Sequence, residues 1–564
     1  MNEQRANWWQ VVLAVALFGG FCLLVMLPLG GLIADAFRGQ TGEPNLIRET
    51  LLDAPLQQAI LTTLAVGLLA VVLASLIAFP AAHLAVRAGS AVRVLIGLIA
   101  VLPLAMPPFV SAAVLLHFQR ILDQTGIAPA LAAVEISGSH IVLAAVFALH
   151  YLPIILFCLV AGLIHIDRSA TESARNLGGG RLYVWRHITL PLTTPAYGLG
   201  VSLVLLRIFE DVGTPLMLGI EGMLAPQILL GAENGSFAAP ALMAAVVALF
   251  VLSAIVVTLG WSSLSAPFAS HWQGLRVEPT CRRGGKAAAM LNLSLVLGLG
   301  LLALAPVVWL LLMAFGNDWS AGLAPTTMGA DIYPRSLLDI LPELRLTLVY
   351  ATAAGLLVLL LGSGIGSLTR GTRRMSRIAL FTTTLLFAVP GLALALAYAH
   401  GYGLLGLSQD DWRRFAWPAL ALVVALKQAP LARHLIATRL RQLHDGELVS
   451  AYSLGASRSF VALRIGLPSL SGVLGIVFLL GCWATLIELS VAMLLIQTPP
   501  LPVSLHLFRA LLSGEHIQTP ASQALLLVLL TAALVLILWW LTHRVCSRIA
   551  RLPRHLSSPA RTHA

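Results

Sequence analysis

Long apolar runs, far longer than a strand or a core helix needs, constrain this chain more than any other feature. A helix crosses the hydrocarbon core of a bilayer in about 20 residues. Runs of that length recur from one end of the sequence to the other, at approximately 9–34, 58–84, 92–117, 140–164, 196–218, 241–262, 290–315, 346–368, 378–401, 415–436, 470–496 and 521–543. Backbone N–H and C=O groups in lipid must pair within their own segment, so a run of this kind folds as a helix. The expectation is an all-α membrane protein with about twelve transmembrane helices. Composition agrees: 58% of the 564 residues are hydrophobic and 10% charged, against roughly 25% charged in a soluble domain. The first run is too long for a cleavable signal peptide and no small-residue cleavage pattern follows it, so it is expected to stay as an anchor.

Basic residues set the orientation. With the N-terminus inside, most Lys and Arg fall on cytoplasmic segments and most acids on external loops. Both termini are therefore expected in the cytoplasm, and the net charge of +11 reflects topology rather than a nucleic-acid footprint. Arg370, Arg373, Arg374 and Arg377 form one basic rim, and Arg544, Arg548, Arg551 and Arg554 another, as expected beside inner headgroups. Of the five cysteines (Cys22, Cys158, Cys281, Cys482, Cys546), none falls in an external loop and no metal-site spacing appears, so neither a disulfide nor a metal is expected.

The chain divides near its middle. Residues 263–289 are polar and basic and read as a cytoplasmic linker between an N-terminal half, 1–262, and a C-terminal half, 290–543, with a basic tail at 544–564. Six spans on each side give the halves the same orientation, as parallel repeats about an axis along the membrane normal. A gapless repeat supports this. ARNLGGGRLYVWRHITLP at 174–191 aligns with AYSLGASRSFVALRIGLP at 451–468 at an offset of 277 residues. Each copy lies in a long loop, 167–195 and 438–468, between the fourth and fifth span of its half.

The chemistry of the repeat is mechanical. Ala174 and Leu177 sit three apart on one helical face. Gly178 then breaks the helix, because glycine adopts a positive φ without strain. A second helix follows into Pro191. The predicted unit is an elbow of two helices along the inner membrane surface.

The pattern Glu172, Ala174, Gly178, then Ile188, Leu190 and Pro191, resembles the signature of permeases in binding-protein-dependent ABC importers. The second copy keeps Ala451, Gly455, Ile465, Leu467 and Pro468, but has Val449 where the family acid stands, with Glu447 two residues earlier. The resemblance implies a type I importer permease fold, two coupling elbows, two copies of a separate ATPase subunit and a separate periplasmic solute-binding protein. It also implies a bacterial inner membrane location. Fusion of two halves resembles the ferric-iron, thiamine and phosphonate branch, with ferric iron favoured and thiamine or an aminoalkylphosphonate as alternatives. The chain has no G-x-x-x-x-G-K-[ST] phosphate loop, so ATP and Mg are expected on the partner subunits, with no cofactor and no covalent chemistry here. The rivals are an ion-coupled secondary transporter and a non-transporting scaffold or sensor.

Three acids lie within spans: Glu210, Asp211 and Glu488. Intramembrane charge is costly and faces either a cavity or a partner. Asp211 and Glu488 each follow their elbow proline by 20 residues, which places them at equivalent points of the two halves. One reading has the acids lining a path that favours a cation; the other has them hydrogen-bonded between helices, with Arg207 one turn from Glu210 and Asp211. Gly213-Thr214-Pro215 is expected to break its helix. Lys427 is expected to snorkel or to join an interhelix bridge.

Overall fold

The computed structural model describes residues 8–38, 53–126, 135–164, 166, 168–233, 240–264, 286–319, 322–329, 333–368, 377, 382–383, 385–386, 388–404, 409–442, 450–514 and 517–550. Of the first half it shows α1 (Trp8–Phe21), α2 (Leu27–Arg38), α3 (Ala54–Arg87), α4 (Ser90–Ala105), α5 (Pro108–Thr125), α6 (His140–Ile164), α7 (Arg168–Asn176), α8 (Arg181–Val184), α9 (Leu190–Phe209), α10 (Gly213–Met217), α11 (Leu224–Glu233) and α12 (Pro240–Leu264). The second half contributes α13 (Lys286–Phe315), a short antiparallel pair β1 (Gly316–Asp318) and β2 (Thr327–Met328), α14 (Tyr333–Ser367), α15 (Gly391–Leu404), α16 (Gln409–Gln442), α17 (Arg458–Val461), α18 (Leu467–Ile487), α19 (Ser490–Leu495), α20 (Val503–Ser513) and α21 (Gln518–Ala550).

Each of the twelve apolar runs carries helix. Among the described residues, eight helices are long and apolar enough to cross a membrane, and a ninth span is possible if one bent pair is counted. That pair is α4 and α5, which meet at 83° across Met106-Pro107, where a single run at 92–117 was expected. Proline explains the bend: it removes an amide and its ring clashes with the preceding turn. The fifth and eleventh runs also break, at 210–212 between α9 and α10 and at 488–489 between α18 and α19. Most of the expected linker, 265–285, lies outside the described residues, as does 551–564; α21 extends helix through residues 544–550 of the expected tail.

In the first half α3, α6 and α9 pack together, and in the second α14, α16 and α18 do the same. One continuous buried cluster runs through both halves. The first helix of each half lies against the other half: α2 packs on α15, and α13 on α4 and α5. The outer faces carry exposed leucines such as Leu61, Leu68, Leu76, Leu301 and Leu360, the belt expected where the solvent is lipid.

Close helix approach depends on small residues, as in membrane bundles generally. A Cβ on Gly355 of α14 would lie 2.8 Å from the Phe478 carbonyl oxygen of α18, and one on Gly481 would lie 2.7 Å from Gly355 Cα. Two buried threonines fasten the outer helices in the same way in each half. Thr63 Oγ1 donates to Ala59 O (2.8 Å) and accepts the Leu224 amide (3.0 Å) at the start of α11. Thr347 Oγ1 donates to Glu343 O (2.6 Å) and accepts the Val503 amide (3.1 Å) at the start of α20.

Candidate functional site: paired elbows and a charged centre

The first elbow is built by a Schellman ending of α7. Gly178 has φ +86°, the Gly178 amide donates to Arg175 O (3.0 Å), and the Gly179 amide donates to Ala174 O (2.8 Å). The second elbow repeats it: Gly455 has φ +83°, and the Gly455 and Ala456 amides donate to Tyr452 O (2.9 Å) and Ala451 O (3.0 Å). These bonds satisfy the carbonyls a terminating helix leaves open, which gives Ala174 and Ala451 a backbone role as well as a small side chain.

The return helix repeats too. After α8 and α17 the backbone widens into π-helix at Trp185–Thr189 and Ala462–Gly466, the same five positions at the offset of 277. Pro191 and Pro468 follow directly, and their missing amides deprive the carbonyl four residues back of its α-helical donor. In the first copy the Leu190 amide donates instead to Trp185 O, five residues back. Val184 and Val461 are both buried and pin the short helices from inside. Leu177 and Leu454, just before the glycines, are each 89% exposed, and Tyr183 and Phe460 are exposed beside them. Glu172 is exposed on α7; Glu447 and Val449 lie outside the described residues. The leucines are part of the sequence repeat, while the aromatic pair Tyr183 and Phe460 was not singled out, although it obeys the same offset.

Deep between the halves, the chain breaks at Glu210–Val212 and at Glu488–Leu489 meet. Asp211 Oδ1 accepts the Thr214 amide (2.8 Å), and Glu488 Oε1 accepts the Val491 amide (3.3 Å). Each acid therefore caps the short helix after its own break. Across the interface the Val212 amide donates to Ser490 Oγ (3.1 Å), and Leu489 packs so closely on Gly213 that any Cβ there would overlap it.

Glu210 is engaged differently. It forms an ion pair with Lys427 of α16, in the other half, through Oε2 and Nζ. The Lys427 stem fills a notch at Gly391, where a Cβ would overlap it and lie 2.8 Å from Nζ. The interhelix bridge weighed for Lys427 is thus present, with Glu210 as partner; among the described residues Arg207 forms no ion pair with Glu210 or Asp211. Tyr151 of α6 is buried, its ring edge-on to that of His150. His150 Nδ1 donates to Pro103 O (3.0 Å), a carbonyl near the bend between α4 and α5 that also accepts the Met106 amide (3.2 Å), and Thr531 donates to the neighbouring Ala105 O. Among the described residues, no three His, Cys, Asp or Glu side chains gather to hold a metal ion.

No family model matches the chain. It is similar to two Mycobacterium tuberculosis proteins, each called "Phosphate transport system permease protein PstA 1", from strains CDC 1551/Oshkosh and ATCC 25618/H37Rv. Identity to each is 31% over 178 residues, covering 29% of this chain and 55% and 54% of the relatives. The chain thus spans about half the length of the curated relatives it matches.

Proposed function

We propose that this chain is the transmembrane permease subunit of an ATP-driven ABC importer, with both permease halves on one polypeptide. The observation that carries the reading is the pair of elbows, which repeat in sequence, hydrogen bonding and π-helical return at one offset. A secondary transporter has no need of two matched, exposed docking elbows. In this reading each elbow seats one copy of a separate ATPase, which binds ATP and Mg, and a periplasmic binding protein delivers the solute to the opposite face. Closure of the ATPases moves the elbows, and the rigid turn from α8 into α9, and from α17 into α18, passes that motion to the breaks at 210–212 and 488–489. The permease itself performs no covalent chemistry. Both termini lie in the cytoplasm of a bacterial cell.

Two solutes are put forward, each on its own support. Ferric iron rests on the resemblance of the fused halves to iron importers. Phosphate rests on the names of the Mycobacterium tuberculosis relatives, and it gains from the charged centre, where Glu210, Asp211 and Glu488 already have partners. Uptake of radiolabelled phosphate and of ferric iron, in cells with and without this gene at matched ATPase expression, decides between them. Loss of one uptake on deletion, restored by the wild type and not by Gly178→Pro/Gly455→Pro, supports both coupling and solute. Uptake that survives removal of the ATPase and collapses with an ionophore overturns the importer reading.

A further inference from the structure

The charged centre breaks the repeat at one place. Offset by 277 residues, Asp211 corresponds to Glu488, Pro153 to Pro430 and His150 to Lys427, but Glu210 corresponds to Ile487. The mirror positions, on α6 and α18, thus carry His150 and Ile487, which cannot form an ion pair. On its own side Lys427 reaches 217 positions back along the sequence, from α16 to Glu210 at the end of α9. The pair is largely shielded, with side-chain exposures of 13% and 11%. It lies at the level where the two chain breaks touch through Val212 and Ser490.

We propose that Glu210 and Lys427 form a one-sided latch that holds the halves closed at their chain breaks, and that the path opens only when this ion pair separates. The inference deepens the importer reading, because it assumes that the halves move against each other. Three features carry it. The two groups come from different halves, so a movement of one half against the other strains the pair. The notch at Gly391 fixes the Lys427 stem, which lets a displacement of α9 be felt at Nζ. The hydrogen bond that crosses between the breaks, from the Val212 amide to Ser490 Oγ, joins neutral groups and separates at smaller cost than a shielded charge pair. Because the latch has no mirror image, the halves do not contribute equally to opening.

The test uses the full chain in membrane vesicles, without ATPase or solute, so its failure is distinguishable from failure of the importer reading. The five native cysteines are replaced, Ser490→Cys is introduced, and its labelling by a cationic methanethiosulfonate reagent is timed. Glu210→Gln and Lys427→Met are each expected to speed labelling by about tenfold or more, since removing one partner strands a shielded charge. The reversal Glu210→Lys/Lys427→Glu is expected to return the rate to near the parent value. Labelling at the parent rate in both single variants, or reversal as fast as the single variants, overturns the latch. If the single variants fail to accumulate, Lys427→Arg carries the test: it retains the charge and is expected to label at the parent rate, and labelling tenfold faster overturns the latch.

Discussion

The elbows and the charged centre are both built twice, yet only the elbows are built the same way twice. At the elbows, glycine φ, Schellman bonds, π-helical return and buried valine coincide between the halves. At the centre the helix-capping acids coincide, Asp211 with Glu488, but the ion pair does not, and His150 bonds a backbone carbonyl where Lys427 bonds a carboxylate. Under the proposed importer reading, a surface that seats two copies of one partner is held to one geometry in both halves. On the same reading, an interior that meets one solute at a time is under no such requirement.

The sharpest way to break that comparison is at the glycines of the elbows. Gly178→Pro/Gly455→Pro is expected to abolish ATP-dependent uptake while the chain still accumulates in the membrane, which immunoblotting and transport assays check together. At the centre, Lys427→Met is expected to lower thermal stability in detergent by about 3 kcal/mol, and a matched change at His150 by less, because only the former strands a shielded charge. Thr63→Val and Thr347→Val are expected to cost about 1–2 kcal/mol each, and equally, since each leaves a helix-starting amide without its acceptor. A large inequality would show that the halves differ in their framework as well as their charges. The smallest effect on folding is expected at Leu177→Ser and Leu454→Ser, within about 0.5 kcal/mol because the side chains are exposed, yet both are expected to weaken ATPase co-purification.

How much of this was legible follows the range of each interaction. The elbows were readable because Gly178 and Gly455 act through bonds within a few residues, and a local pattern that occurs twice identifies itself. The helical runs were readable because lipid leaves the backbone no other option. The bend at Met106-Pro107 was only half visible: the prolines were plain, but the bonds that His150 and Thr531 make from distant helices to the carbonyls of Pro103 and Ala105 needed the fold. The pairing of Glu210 with Lys427 joins residues from different halves, and nothing local in either segment announces the other. The acids stood out in the sequence as charges within apolar runs. Their partners, two backbone amides and one lysine, needed the fold.

The most direct test of the paired elbows is the mass of the complex purified through this chain under native conditions. The account predicts two ATPase copies per chain, with Gly178→Pro and Gly455→Pro each removing one. A single ATPase per chain, or two copies retained by the double variant, would contradict it.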